Sequence, residues 1–127
     1  GSIGSWFYQT LGGIGVDEDA PGFRKVTIKP FMPENLSGVK SSVETLRGTL
    51  KSGWEKDREN VRMEIEIPVG TEATLYVPAE SPDDVKEGGE TATVRSGISF
   101  LKMEKDFAVF HIESGEYYFS GNIHLQQ

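Results

Sequence analysis

Cysteine is absent from the 127 residues, and disulfide frameworks, thiolate zinc sites and cysteine nucleophiles are excluded with it. Histidine is scarce: His111 and His124 are the only two, and they lack the i, i+4 spacing of a helical metal site. No run approaches the roughly 20 apolar residues of a membrane-spanning helix. Positive charge is in deficit, with 13 Lys and Arg against 20 Asp and Glu and a formal net charge of −7. That balance repels a phosphate backbone and an anionic lipid surface, so neither nucleic acid nor membrane is an expected partner. The first residues also lack the basic region and cleavage site of a signal peptide; a chain without cysteine suits cytoplasm or periplasm equally, and any export signal would lie outside it.

What is present is the composition of one soluble globular domain, 36% hydrophobic and 26% charged, large enough to bury a core without covalent staples. The opening "GSIGSWFYQTLGGI" places Ile3, Trp6, Phe7 and Leu11 on one side of a helix, with Ser2 as N-cap and Gly12-Gly13 as its stop. The expected division is a helix over residues 1–15 and a β domain over 16–127. "GVDEDAPGF" reads as the acidic loop between them.

From there strands recur. "FRKVTIKP" and "GVKSSVETL" alternate apolar and polar residues, "RGTLKSGWEK" sets Leu50, Ser52 and Trp54 on one side, and "VRMEIEI" opposes Val61, Met63, Ile65 and Ile67 to Arg62, Glu64 and Glu66. "PVGT" is a turn into "EATLYVP". "AESPDDVKEGGE" reads as a long polar loop, and "ISFLKMEK", "FAVFHI" and "GEYYFSG" as three closing strands. About eight strands without intervening helices predict an all-β, antiparallel two-sheet sandwich.

Candidate chemistry is sparse. Glycoside hydrolysis needs two carboxylates about 5–9 Å apart in different environments, whereas Glu64 and Glu66 share one strand face, as solvated residues do. Asp17, Glu18 and Asp19 cluster, but without the alternating ligands and glycine of a calcium loop. "GSIGS" has no strand before it to make a nucleophile elbow, and Gly12, Gly13 and Gly15 lack the strand, lysine and helix of a phosphate loop. No catalytic residue, metal ligand or cofactor-binding set is therefore assigned.

Aromatic rings can serve as platforms for the C–H faces of sugars, and strand parity decides which are available. Trp54, Tyr117 and Phe119 fall on inward parity; Tyr76 and Tyr118 fall outward and are the candidate sugar contacts.

The runs "SIGSWFYQTLGGI", "DAPGFRKVTIKP", "LSGVKSSVETLRGTLKSGWEK" and "MEIEIPVGTEATLYVP", in that order, resemble the C-terminal region of bacterial α-L-rhamnosidases, glycoside hydrolases of family 78 type. Residues 2–78 carry most of the likeness, and Gly115, Tyr117 and Phe119 are similar to the family's closing strand. The resemblance implies a β-sandwich that follows an (α/α)6 catalytic barrel, with the opening helix corresponding to the last barrel helix. Ile3, Trp6, Phe7 and Leu11 would then be inter-domain contacts. The acid and base that release L-rhamnose would lie upstream in the barrel, and none maps onto this chain.

Three roles follow as expectations. The first is a non-catalytic accessory domain that buttresses the barrel of the same polypeptide. The second is a binding module for rhamnose-containing glycans, and the third an immunoglobulin-like protein-interaction domain. They differ in where exposed apolar and aromatic surface should lie: beside the helix, in a sugar-sized groove, or elsewhere.

Overall fold

The computed structural model describes residues 14–17, 24–30, 37–45 and 48–123. Most of the expected opening helix, with Ile3, Trp6, Phe7 and Leu11, lies outside the described residues, as do Glu18, Asp19, the side chain of Asp17, and His124.

Eleven strands are present among the described residues: β1 Ile14–Asp17, β2 Arg24–Ile28, β3 Gly38–Thr45, β4 Gly48–Asp57, β5 Asn60–Ile67, β6 Thr71–Pro78, β7 Lys86–Glu87, β8 Glu90–Thr91, β9 Ile98–Glu104, β10 Phe107–Ile112 and β11 Gly115–Asn122. They form two sheets, in the orders β1-β2-β6-β10-β9 and β3-β4-β5-β11-β7-β8. The eight strands read from alternation correspond to β2 to β6 and β9 to β11. The other three were not expected: β1 pairs Ile14 through Asp17 with Ile28 through Lys25, so the chain is already strand at Ile14 and Gly15, inside the bounds expected for the helix, and β7 and β8 form a short hairpin where loop was expected.

Alternation positions the core. In β5 the burial alternates residue by residue, Val61, Met63, Ile65 and Ile67 facing in and Arg62 and Glu64 facing water. Across the second sheet Trp54 pairs with Met63 and Met63 with Phe119, an inner row of large side chains. The first sheet answers with Ile28, Leu75 and Phe110 in neighbouring register. The Phe110 and Phe119 rings meet across the sandwich with centroids 6.2 Å apart. Leu50, Ser52 and Trp54 are all buried, as their shared parity predicts.

One pairing departs from the antiparallel expectation. β2 and β6 run parallel, because the chain crosses to the second sheet after β2, lays down the β3-β4-β5 meander, and returns beside β2 in the same direction. The return uses Pro68-Val69-Gly70-Thr71, closed by a 3.2 Å bond from the Thr71 N–H to the Pro68 carbonyl. Gly70, at φ 80°, supplies the positive φ that a type II turn needs at that position. At the β10 to β11 crossover the Tyr117 hydroxyl donates to the Glu113 carbonyl at 2.8 Å, the arrangement by which corner tyrosines fix strand changes in sandwiches. Burial, with help from the nearby Glu113 charge, raises the pKa of that phenol, so it remains a donor.

Candidate functional site

The outer face of the second sheet is open. One register row across it reads Lys40, Gly53, Glu64 and Tyr118, and the next reads Glu55, Arg62 and Ser120. Because strands lie about 4.8 Å apart, the first row spans about 14 Å from Lys40 to Tyr118. Gly53 leaves its centre without a side chain. The result is a groove of about 550 Å³ with Tyr118 at one end, Lys40 at the other, and the Gly88-Gly89 turn as a wall beside the tyrosine.

The wall comes from the segment that reads as a polar loop. Lys86-Glu87 and Glu90-Thr91 pair across Gly88-Gly89, with φ of 63° and 88° at the two glycines. This is the backbone of a tight two-residue hairpin, for which Gly-Gly is a sequence signal. Val85 and Ala92, both fully buried, anchor the hairpin's two ends in the core.

Glu87 ties the hairpin to the groove. Its side chain is 7% exposed and accepts a 2.9 Å bond from Arg95 Nε and a 3.0 Å bond from the Tyr118 N–H. Gly88 N–H in turn donates to the Tyr118 carbonyl at 3.0 Å. The backbone of Tyr118 is therefore clamped on both sides by one turn. Arg95 also donates to Glu90 at 3.1 Å, and its bonds to Glu87, then to Glu90, raise its pKa.

The structure separates the two outward tyrosines, which sit on opposite sheets. Tyr76, on β6, packs edge-on against Phe107 with centroids 5.8 Å apart, and Lys29 Nζ lies 5.0 Å from its centroid. That ring is already a partner in a cation–π contact. Lys29 is held there by Glu104 at 3.7 Å, and Glu104, bonded at 3.1 Å by Lys102, has a lowered pKa chiefly through that bond. Tyr118 is 57% exposed, and its ring and hydroxyl meet no partner among the described residues.

Glu64 is exposed and Glu66 pairs with Lys51 at 3.6 Å, so these two stand on the wet face as expected. His111 lies on the outer face of the first sheet, 3.4 Å from Glu72. Among the described residues no group of three His, Asp or Glu is placed to hold a metal ion. Apolar exposure collects at β9, the edge of the first sheet opposite β1, where Leu101 is 52% exposed and Phe100 and Met103 are partly so. A register shift between Val109 and Phe110 leaves Leu101 without a partner on β10.

Fold and surface together define an all-β sandwich domain with one open, groove-bearing sheet face. The chain belongs to the bacterial α-L-rhamnosidase C-terminal domain family, whose model matches residues 15–92. It is 27% identical to an α-L-rhamnosidase of Formosa agariphila over 98% of its own length, and 27% identical to one of Streptomyces avermitilis over 94%. It spans only 13% and 11% of those two proteins. The solved α-L-rhamnosidase of Dictyoglumus thermophilum superposes with a TM-score of 0.71 at 28% identity, over 87% of this chain and 12% of that one. The Streptomyces avermitilis enzyme, solved with L-rhamnose, superposes with a TM-score of 0.69 at 23% identity and shares the fold.

Proposed function

We propose that this chain is the non-catalytic C-terminal accessory domain of an α-L-rhamnosidase, buttressing a catalytic barrel of the same polypeptide that releases L-rhamnose. The observation that carries this reading is one of proportion: nearly the whole chain aligns with a small share of proteins that are themselves α-L-rhamnosidases. Ile3, Trp6, Phe7 and Leu11 are the proposed contacts to the barrel. The apolar β9 edge is a second surface suited to a neighbouring domain, since an edge strand with exposed Leu101 and Phe100 is a liability unless covered.

No pair of carboxylates is assigned as an acid and a base in this reading. Glu55, Glu66, Glu87, Glu90 and Glu104 are each engaged by a lysine or arginine, and Glu64 stands on an open face. Incubated alone with 4-nitrophenyl α-L-rhamnoside, the chain is expected to release no nitrophenol above the blank. Turnover that purifies with the folded chain and falls when a single carboxylate is replaced would contradict the proposal.

A further inference from the structure

We propose that the groove on the outer face of the second sheet binds a neutral saccharide, with one pyranose ring stacked on Tyr118, hydroxyls of that ring bonded by Glu64 and Arg62, and Lys40 bonding the next sugar along the groove. This goes beyond the accessory role and does not depend on a barrel being attached.

Three features point to this ligand. The first is the platform: an exposed aromatic whose backbone is fixed from both sides by Glu87 and Gly88, so little ordering remains to oppose binding. The second is shape. The row from Lys40 to Tyr118 has a floor at Gly53, and a volume of about 550 Å³ falls in the range of small-molecule sites. A Cβ at Gly53 would lie 3.4 Å from Lys40 Cγ and 3.5 Å from the Val39 carbonyl, so the floor is low by choice of residue rather than by steric need.

The third is charge. Lys40 and Arg62 are matched by Glu55 and Glu64 around the groove, so it has no net sign with which to select an anion or a cation. It does offer cationic N–H donors and a carboxylate acceptor at spacings set by the strands, as vicinal hydroxyls require. The side chains of Lys40 and Glu64 make no ion pair or hydrogen bond among the described residues. Arg62 and Glu55 stand 3.7 Å apart and are both highly exposed, so a ligand can replace their mutual contact at little cost. Tyr76 has the same outward parity, but its ring is engaged by Lys29 and Phe107.

The test is an amide chemical-shift titration of the intact chain with methyl α-L-rhamnoside and with cellobiose, and with digalacturonate as an anionic comparison, each to about 50 mM, a range that reports millimolar affinity. Expected are saturable shifts at Gly53, Glu64, Gly88, Gly89 and Tyr118 with at least one neutral probe, and a weaker response to digalacturonate. Tyr118→Ala should reduce affinity at least about tenfold, as loss of a stacking ring does, and Gly53→Val should abolish the shifts by filling the floor. If Gly53→Val fails to fold, Tyr118→Ala alone decides. Absence of localised shifts with both neutral probes overturns the proposal, and so do shifts centred on Tyr76 or shifts that persist undiminished in Tyr118→Ala.

Discussion

Gly121→Ala is expected to lower stability by about 3 kcal/mol or more, the upper range for forcing atoms into a packed interior. Gly121 lies on β11 opposite Val61, where the second sheet closes onto the end of β6. A Cβ there would run into the Pro78 carbonyl oxygen and sit 2.8 Å from Val77 Cγ1. Neither obstacle can yield cheaply, because the Pro78 carbonyl is backbone within the other sheet and Val77 is fully buried. In a domain of this size the thermal midpoint should fall by about 15 °C. Gly53→Ala, which adds the same methyl group to an open strand face, is the control and should be near neutral. Denaturant midpoints for the two variants check the contrast, and equal midpoints would mean the sheets do not meet at Gly121.

Phe110→Ala should cost about 3–5 kcal/mol, as truncation of a fully buried aromatic does. Phe110 on β10 is wholly inaccessible; it meets Phe119 of the opposite sheet and stands edge-on to Phe100, with centroids 5.6 Å apart. Phe119 is stacked in turn on Tyr117 at 5.7 Å, so these rings form one chain through the sandwich. Phe110→Ala and Phe119→Ala should therefore be non-additive, since they remove atoms from a shared contact. Urea unfolding of the two single variants and the double variant measures that coupling; strict additivity would place the two rings in independent parts of the core.

The strands most legible in the sequence were those with one wet face. β5 shows why: Val61, Met63, Ile65 and Ile67 alternate with charged residues, and half-burial in a two-layer sheet demands that pattern. Trp54 and Tyr118 were likewise placed on opposite sides of the second sheet by parity alone. β1, β7 and β8 were not legible. Each has only two to four residues, too few for alternation to register, and each is held by the strand it pairs with rather than by its own pattern. β1 exists because β2 offers it an edge, and β7 because β11 does.

The groove was half legible. Tyr118 could be found from parity, but its distinction from Tyr76 depends on Lys29 lying across the latter ring, a contact between separate strand ends that no local pattern encodes. Gly53 matters through its register with Lys40 and Glu64 on the neighbouring strands, and the Gly88-Gly89 hairpin through β11, a strand far away in sequence. The Gly-Gly pair flanked by Glu87 and Glu90 was the one available signal, and the polar residues around it read as loop because Val85 and Ala92 are its only apolar anchors.

The most direct measurement of the accessory role is the thermal midpoint of rhamnosidase activity in three forms of the Streptomyces avermitilis relative: intact, lacking its C-terminal domain, and with this chain grafted in that domain's place. A buttressing domain predicts that truncation lowers the midpoint and that the graft restores part of the loss without altering the chemistry. A truncated enzyme as stable and active as the intact one, or a graft no better than truncation, would contradict it.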